Sequence, residues 1–221
     1  MPAYTLIIGT REWSSWSLRA CLALAATGQP FAMELVRLRV TEMDATRTEI
    51  LKRSPSGRVP VLRIGEGETA ETVWDSLAIC ETLAERHPEA HLWPKDPRRR
   101  ALARAYAAEM HAGFPGLRSQ LAMEFARRLP LPELTAQTQQ DIARVIDAWD
   151  FALTAHGAEG GFLFGAFSIA DCMYAPVVSR FTTYGVAVPD RIKDYMERIW
   201  ALPAMQDWLR AAEQEVAEGI A

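Results

Sequence analysis

Cysteine is scarce in this chain: Cys21, Cys80 and Cys172 are the only three in 221 residues. They stand apart, each inside an apolar helical pattern, with no C-x-x-C pair and no disulfide-like spacing. That disfavours a dithiol oxidoreductase, fits a reducing compartment, and leaves them as small buried hydrophobes. Long hydrophobic runs are also missing. The longest, residues 20–26, falls far short of the roughly 20 residues a membrane span needs, and the first residues enter a strand pattern with no basic, leader-like segment. Excess positive charge is missing too. With 24 Lys and Arg against 28 Asp and Glu, the net charge is −4, which supplies no basic footprint for nucleic acid or an anionic membrane. His87 and His91 are four apart, but Pro88 between them prevents a regular helix from presenting both rings on one face, so no metal-ligand set emerges. These absences lead us to expect a cytoplasmic protein that handles small solutes, without nucleic acid, membrane or metal.

What is present is an ordinary globular composition, 49% hydrophobic, in a length that suits one large domain or two small ones. Residues 5–8 read as a short buried strand. Leu18, Cys21, Leu22 and Ala25 then repeat at helical spacing until Gly28 and Pro30 stop the helix, and a strand follows over 33–37. This is a β-α-β unit, whose crossover makes its strands parallel. A shorter helix is expected over 45–52. Strands at 61–64 and 69–73 flank Gly65-Glu66-Gly67-Glu68 as an antiparallel hairpin. Leu77, Cys80, Leu83 and Ala84 give the next helix its apolar face. The order β-α-β-α-β-β-α is that of a thioredoxin-like α/β domain, placed at 1–86.

Pro88, Pro94 and Pro97 mark residues 87–97 as a linker. The rest, 98–221, reads as an all-α domain. It opens with a long amphipathic stretch over 98–128, bent near Gly113, Pro115 and Gly116, and continues with a helix over 135–156 carrying Ile142, Val145, Ile146 and Trp149 on one stripe. Ser168 and Asp171 have the spacing of a Ser-x-x-acid N-cap. Asp190 is expected to cap a helix over 191–201, and Pro203 divides that helix from a last one ending near residue 217. Trp200 and Trp208 read as core packing.

Four motifs remain. Trp13-Ser14-Ser15-Trp16-Ser17-Leu18-Arg19 ends the first strand and opens the first helix. Ser54-Pro55-Ser56-Gly57-Arg58-Val59-Pro60 precedes the hairpin, Trp74-Asp75-Ser76 opens the helix after it, and Ser168-Ile169-Ala170-Asp171 opens a helix of the second domain. In this order, across nearly the whole chain, they resemble the cytosolic glutathione transferases, and the serine cluster is most similar to the serine-type, zeta-like classes and related bacterial proteins.

The resemblance implies a site for glutathione and specific roles. Pro60 becomes a cis proline that turns the Val59 backbone outward to pair with the cysteinyl unit like an added strand; read alone, it is a trans proline starting an edge strand. Asp75 and Ser76 stand at a helix start, where free N–H groups and the positive dipole end receive the γ-glutamyl carboxylate, with Asp75 favouring the ammonium; plain capping is compatible with this. Ser14 is the first candidate to contact the sulfur and Ser15 its competitor, since the reaction requires a thiolate. Lowering a thiol pKa by about two units takes about 2.7 kcal/mol of preferential thiolate stabilisation, within reach of one charge-assisted hydrogen bond and a helix dipole. Ser14, Ser15 and Ser17 are equally competing N-caps of that helix. Ser17 and Arg19 join the glutathione-binding set, as does Arg58 near the glycyl end, with Arg39 and Arg53 as weaker alternatives. Trp16, Met110, His111, Phe114 and Arg118, with Met123, are candidates to line the electrophile pocket between domains, or to pack there.

The function implied is a glutathione transferase acting on small electrophiles, with no metal or redox cofactor, and a homodimer. A zeta-like cis–trans isomerase is the second reading, with Arg118 or Arg180 as cations for substrate carboxylates. Trp16 stands where the zeta motif usually has Cys. A silent glutathione-binding scaffold on the same fold is the third.

Overall fold

The computed structural model of the protein describes residues 4–38 and 43–221. Its first half runs β1 (Tyr4–Gly9), α1 (Ser15–Ala26), β2 (Phe31–Val36), α2 (Met43–Leu51), β3 (Val61–Ile64), β4 (Glu71–Trp74) and α3 (Ser76–Arg86). The sheet order is β2-β1-β3-β4. β1 and β2 are parallel, with Leu6 opposite Met33, and β3 runs antiparallel to both β1 and β4. Alternation along β1 divides its side chains between two layers. Leu6 and Ile8 pack with Leu18 and Leu22 of α1 and Ile79 and Leu83 of α3, while Ile7 faces the other way to meet Ile50 of α2. This is a thioredoxin-like domain, as the element order predicts. The hairpin connector holds a 3-10 turn, Gly67–Thr69, so β4 begins two residues later than expected.

The second half is helical: α4 (Pro97–Ala112), α5 (Pro115–Gln120), α6 (Ala136–His156), α7 (Ile169–Tyr184), α8 (Asp190–Trp200) and α9 (Pro203–Ala217). Its core centres on Trp149, fully buried against Tyr174, Phe181 and Tyr195. α1 packs against α3 on one side and α7 on the other, which joins the two halves into one apolar cluster. No helix of the described residues is long and apolar enough to cross a membrane.

Two expectations need correction here. The amphipathic stretch over 98–128 does not form one bent helix. α4 stops at Ala112, Phe114 takes a left-handed conformation (φ 63°), and residues 121–135 carry no regular helix. Glu12 and Thr183 bind that segment's backbone instead: Phe125 N–H donates to the Glu12 carbonyl at 3.2 Å, Leu129 N–H to the Thr183 carbonyl at 2.8 Å, and the Thr183 hydroxyl to the Glu124 carbonyl at 2.9 Å. Asp190 is the first residue of α8, with Pro189 in the cap position; the proline supplies the extended backbone from which the helix starts. Trp208 is core, whereas Trp200 is half-buried and donates to the Thr182 hydroxyl. The three cysteines are buried, and burial pushes the thiols of Cys21 and Cys80 up to about 12.

Candidate functional site

The loop between β1 and α1 is tied down from three directions. The Thr10 hydroxyl accepts Leu38 N–H at 2.9 Å, and the Thr10 carbonyl accepts Ser14 N–H at 2.9 Å. Arg11 reaches α9, where its backbone N–H and its Nη1 meet the two carboxylate oxygens of buried Glu215 at 2.6 and 2.5 Å. The Trp208 indole donates to the Arg11 carbonyl at 3.1 Å. So the helical half fixes the loop from which the serine cluster projects.

Ser14 caps α1: its Oγ accepts Ser17 N–H at 3.4 Å and donates to Ser17 Oγ at 2.7 Å, which also accepts Gly9 N–H at 3.1 Å. Ser17 is fully buried behind Ser14, tying the strand end to the helix start. Ser15 opens α1 and is 4% exposed. Ser14 lines a cleft of about 580 Å³ between the α1 start, α2 and the Gly57–Val59 turn, with Trp13, Trp16, Arg47, Gly57, Arg58 and Val59.

A second cleft of about 180 Å³ continues from it, lined by Trp16, Ser56, Arg58, Val59, Pro60, Trp74, Asp75, Ser76 and His111. Trp16, Arg58 and Val59 belong to both. The Val59–Pro60 peptide is cis, and no group among the described residues pairs with the Val59 backbone N–H or C=O. Asp75 holds φ 74°, a conformation costing roughly 1–3 kcal/mol for a residue with a side chain. Its Oδ1 accepts Leu77 and Ala78 N–H at 2.9 and 3.4 Å, capping α3. Ser76, 1% exposed, carries a buried Oγ with no hydrogen-bond partner among the described residues. His111 Nε2 lies 3.3 Å from Asp75 Oδ2. Burial pushes the His111 imidazole below its ordinary value, with Asp75 opposing and Arg19 and Arg118 adding to the fall.

Beyond Trp16 the site is cationic. The Arg19 and Arg118 guanidinium carbons lie 4.4 and 4.9 Å from its ring centroid, within cation–π reach. Arg19 is fully buried on α1, and Arg180 is 5% exposed on α7. Burial, then the neighbouring arginines, push Arg19 well below the usual guanidinium range, and burial together with Arg118 brings Arg180 down to about 10.

The remaining sequence candidates fall elsewhere. Met110, Phe114 and Met123 are buried in the core and line neither cleft. Arg118 closes the C-terminus of α4, where its guanidinium donates to the carbonyls of Met110, His111 and Gly113. Arg53 pairs with Glu34 and Glu49, and Arg39 lies outside the described residues. Sequence reasoning missed Arg47, Glu12 and Trp74. Arg47 sits on α2 with its Cγ close over Gly57, a contact with no signature in a nine-residue helix. Trp74 could have been found from its place beside Asp75.

The chain is similar to known proteins along most of its length. The family model for the glutathione S-transferase N-terminal domain matches residues 13–86, and that for the C-terminal domain residues 132–211. The chain is 30% identical over 189 residues to glutathione S-transferase 1 of Dianthus caryophyllus, covering 84% of this chain and 80% of that protein. It is 29% identical over 196 residues to a maleylacetoacetate isomerase of Pseudomonas aeruginosa, covering 87% and 90%. A solved glutathione transferase homolog from Burkholderia gl BGR1, with bound glutathione, matches with a TM-score of 0.69 at 26% identity over 96% of this chain and 98% of that one. The chain belongs to the glutathione S-transferase family.

Proposed function

We propose that this protein binds glutathione in the joined clefts and transfers its thiolate to small electrophiles. The observation that carries the reading is the convergence on Val59: an unpaired backbone edge with Ser14 in the cleft on one side and the partnerless Ser76 hydroxyl in the cleft on the other. The Val59 N–H and C=O suit an extended peptide added as a strand. Ser76 and the start of α3 suit the γ-glutamyl carboxylate, Asp75 the ammonium, and Arg58 with Arg47 the glycyl carboxylate.

Ser14 then stands nearest the sulfur. Turning its proton from Ser17 Oγ to the sulfur stabilises the thiolate, and the N-terminus of α1 adds to the effect. Attack forms a sulfur–carbon bond, and either the leaving group departs with the electron pair or a double bond takes up a proton. Ser15 remains the competitor. The same reading carries a cytoplasmic homodimer, which light scattering tests for its oligomeric state.

A zeta-like isomerase is the second reading, supported by the similarity to the Pseudomonas protein and by the arginines beside Trp16. There the thiolate adds to a cis double bond, the single bond rotates, and glutathione leaves. Product analysis separates the two, since an isomer keeps the substrate's mass and an adduct does not.

The deciding experiment is an ultraviolet titration of bound glutathione in wild type, Ser14→Ala and Ser15→Ala. A thiol pKa well below that of free glutathione, returning toward it only in Ser14→Ala, supports the mechanism. Tight binding with no thiolate near neutral pH in wild type overturns it in favour of a silent binding module.

A further inference from the structure

Asp75 divides its carboxylate between two tasks. Oδ1 accepts Leu77 and Ala78 N–H and caps α3, whereas Oδ2 faces His111, whose Nε2 lies 3.3 Å away. The two residues come from different halves of the molecule, Asp75 from the junction of β4 and α3 and His111 from the last turn of α4. Both line the cleft that holds Ser76.

His111 is held from two sides. Its carbonyl accepts the Arg118 guanidinium at 3.3 Å, and its ring makes a T-shaped contact with Trp16, the centroids 5.2 Å apart at 76°. Burial pushes the imidazole below its ordinary value, with Asp75 opposing and Arg19 and Arg118 adding to the fall, so near neutral pH the ring is uncharged and carries one proton. Its Nδ1 is buried with no hydrogen-bond partner among the described residues. Asp75 Oδ2 is the acceptor beside the other nitrogen, which places the proton on Nε2. A neutral donor steadies the carboxylate without cancelling its charge, whereas a protonated ring would compete with a cationic ligand for it.

We infer that His111 is a positioning residue for glutathione: its Nε2–H holds Asp75 Oδ2 toward the cleft, where that oxygen receives the γ-glutamyl ammonium. The inference rests on the glutathione-binding reading and adds to it a recognition element from the helical half. His111, a sequence candidate for the electrophile pocket, thereby falls on the glutathione side and acts through Asp75.

The test is calorimetric titration of full-length wild type, His111→Phe and His111→Gln with S-methylglutathione and with its des-amino analogue, glutaryl-S-methylcysteinylglycine, which lacks only the ammonium. Wild type binds the first about tenfold more tightly, as expected for one charge-assisted contact. His111→Phe keeps a ring against Trp16 without a donor and narrows the preference to about two- to threefold, through weaker binding of S-methylglutathione alone. His111→Gln, with an amide nitrogen in place of Nε2, restores most of it, and His111→Leu supplies a second side chain without a donor should the Phe variant fail to fold. In the Asp75→Asn background, His111→Phe changes neither affinity, because the residue acts through that carboxylate. An undiminished preference in His111→Phe overturns the proposal and leaves the glutathione site standing. Equal loss of affinity for both peptides marks a structural role and overturns it as well, as does a preference no wider in His111→Gln than in His111→Phe. A further loss from His111→Phe in the Asp75→Asn background also overturns it, by giving the ring its own contact with the peptide. If wild type binds neither peptide, the glutathione reading falls and this inference with it.

Discussion

Glu12 Oε2 accepts the backbone N–H of Ala126 at 2.8 Å, across 114 positions of sequence, from a side chain with no solvent exposure. One carboxylate thereby joins the loop bearing Ser14 to the irregular segment of the helical half, with Arg127 at 3.6 Å as its cation. Glu12→Ala leaves Ala126 N–H without its acceptor. The expected loss is about 1–3 kcal/mol, read from urea denaturation midpoints, with glutathione affinity falling alongside as the loop loosens. An unchanged midpoint would show that the contact is incidental.

Asp75 serves both as helix cap and as the proposed partner of the γ-glutamyl ammonium. Asp75→Asn keeps an oxygen for Leu77 and Ala78 N–H while removing the charge. Stability should stay within about 0.5 kcal/mol, since Asn and Asp cap comparably. Glutathione affinity should fall about tenfold, the loss of one charge-assisted contact. If stability and affinity fall together, capping alone explains the residue.

Arg47 and Arg58 are exposed on the cleft rim. Solvent screening limits what each contributes. Replacing either with Ala should weaken glutathione binding by about two- to fivefold and flatten its dependence on salt, measured by titration calorimetry at two ionic strengths. A salt dependence identical to wild type in both variants excludes them from the glycyl end.

Asp171 is fully buried at the start of α7, accepting Leu163 N–H, Ser168 N–H and the Ser168 hydroxyl at 3.1, 2.9 and 3.0 Å. Burial raises its carboxyl from an ordinary 3.8 to about 6 against those donors. Between these values the folded protein holds a proton that the unfolded chain has released. Asp171's contribution is therefore fully present below pH 3.8, declines as pH rises to about 6, and is level above. The decline amounts to about 3 kcal/mol at most. Asp171→Asn should lack that slope when denaturation midpoints are compared across the interval; parallel slopes in both proteins would refute the assignment.

Much of this molecule is legible locally. Alternating and helical periods, Gly28 with Pro30, and the hairpin turn determine the order of strands and helices in the first half, because each element is specified by residues within a turn or two of one another. The serine cluster, Val59-Pro60 and Asp75-Ser76 are likewise contiguous, so the backbone brings each into play as a unit. Tertiary structure decided the rest. Residues 121–128 have a helical composition, yet distant groups on Glu12 and Thr183 bind their backbone in place of a helix. Arg118 reads as a pocket cation and becomes the cap of α4, because the break at Phe114 returns α5 to the carbonyls that α4 leaves open. Arg19 and Arg180 are 161 positions apart and have no local motif in common. What they share is burial in the packed interior, a property of the tertiary structure that no stretch of sequence carries.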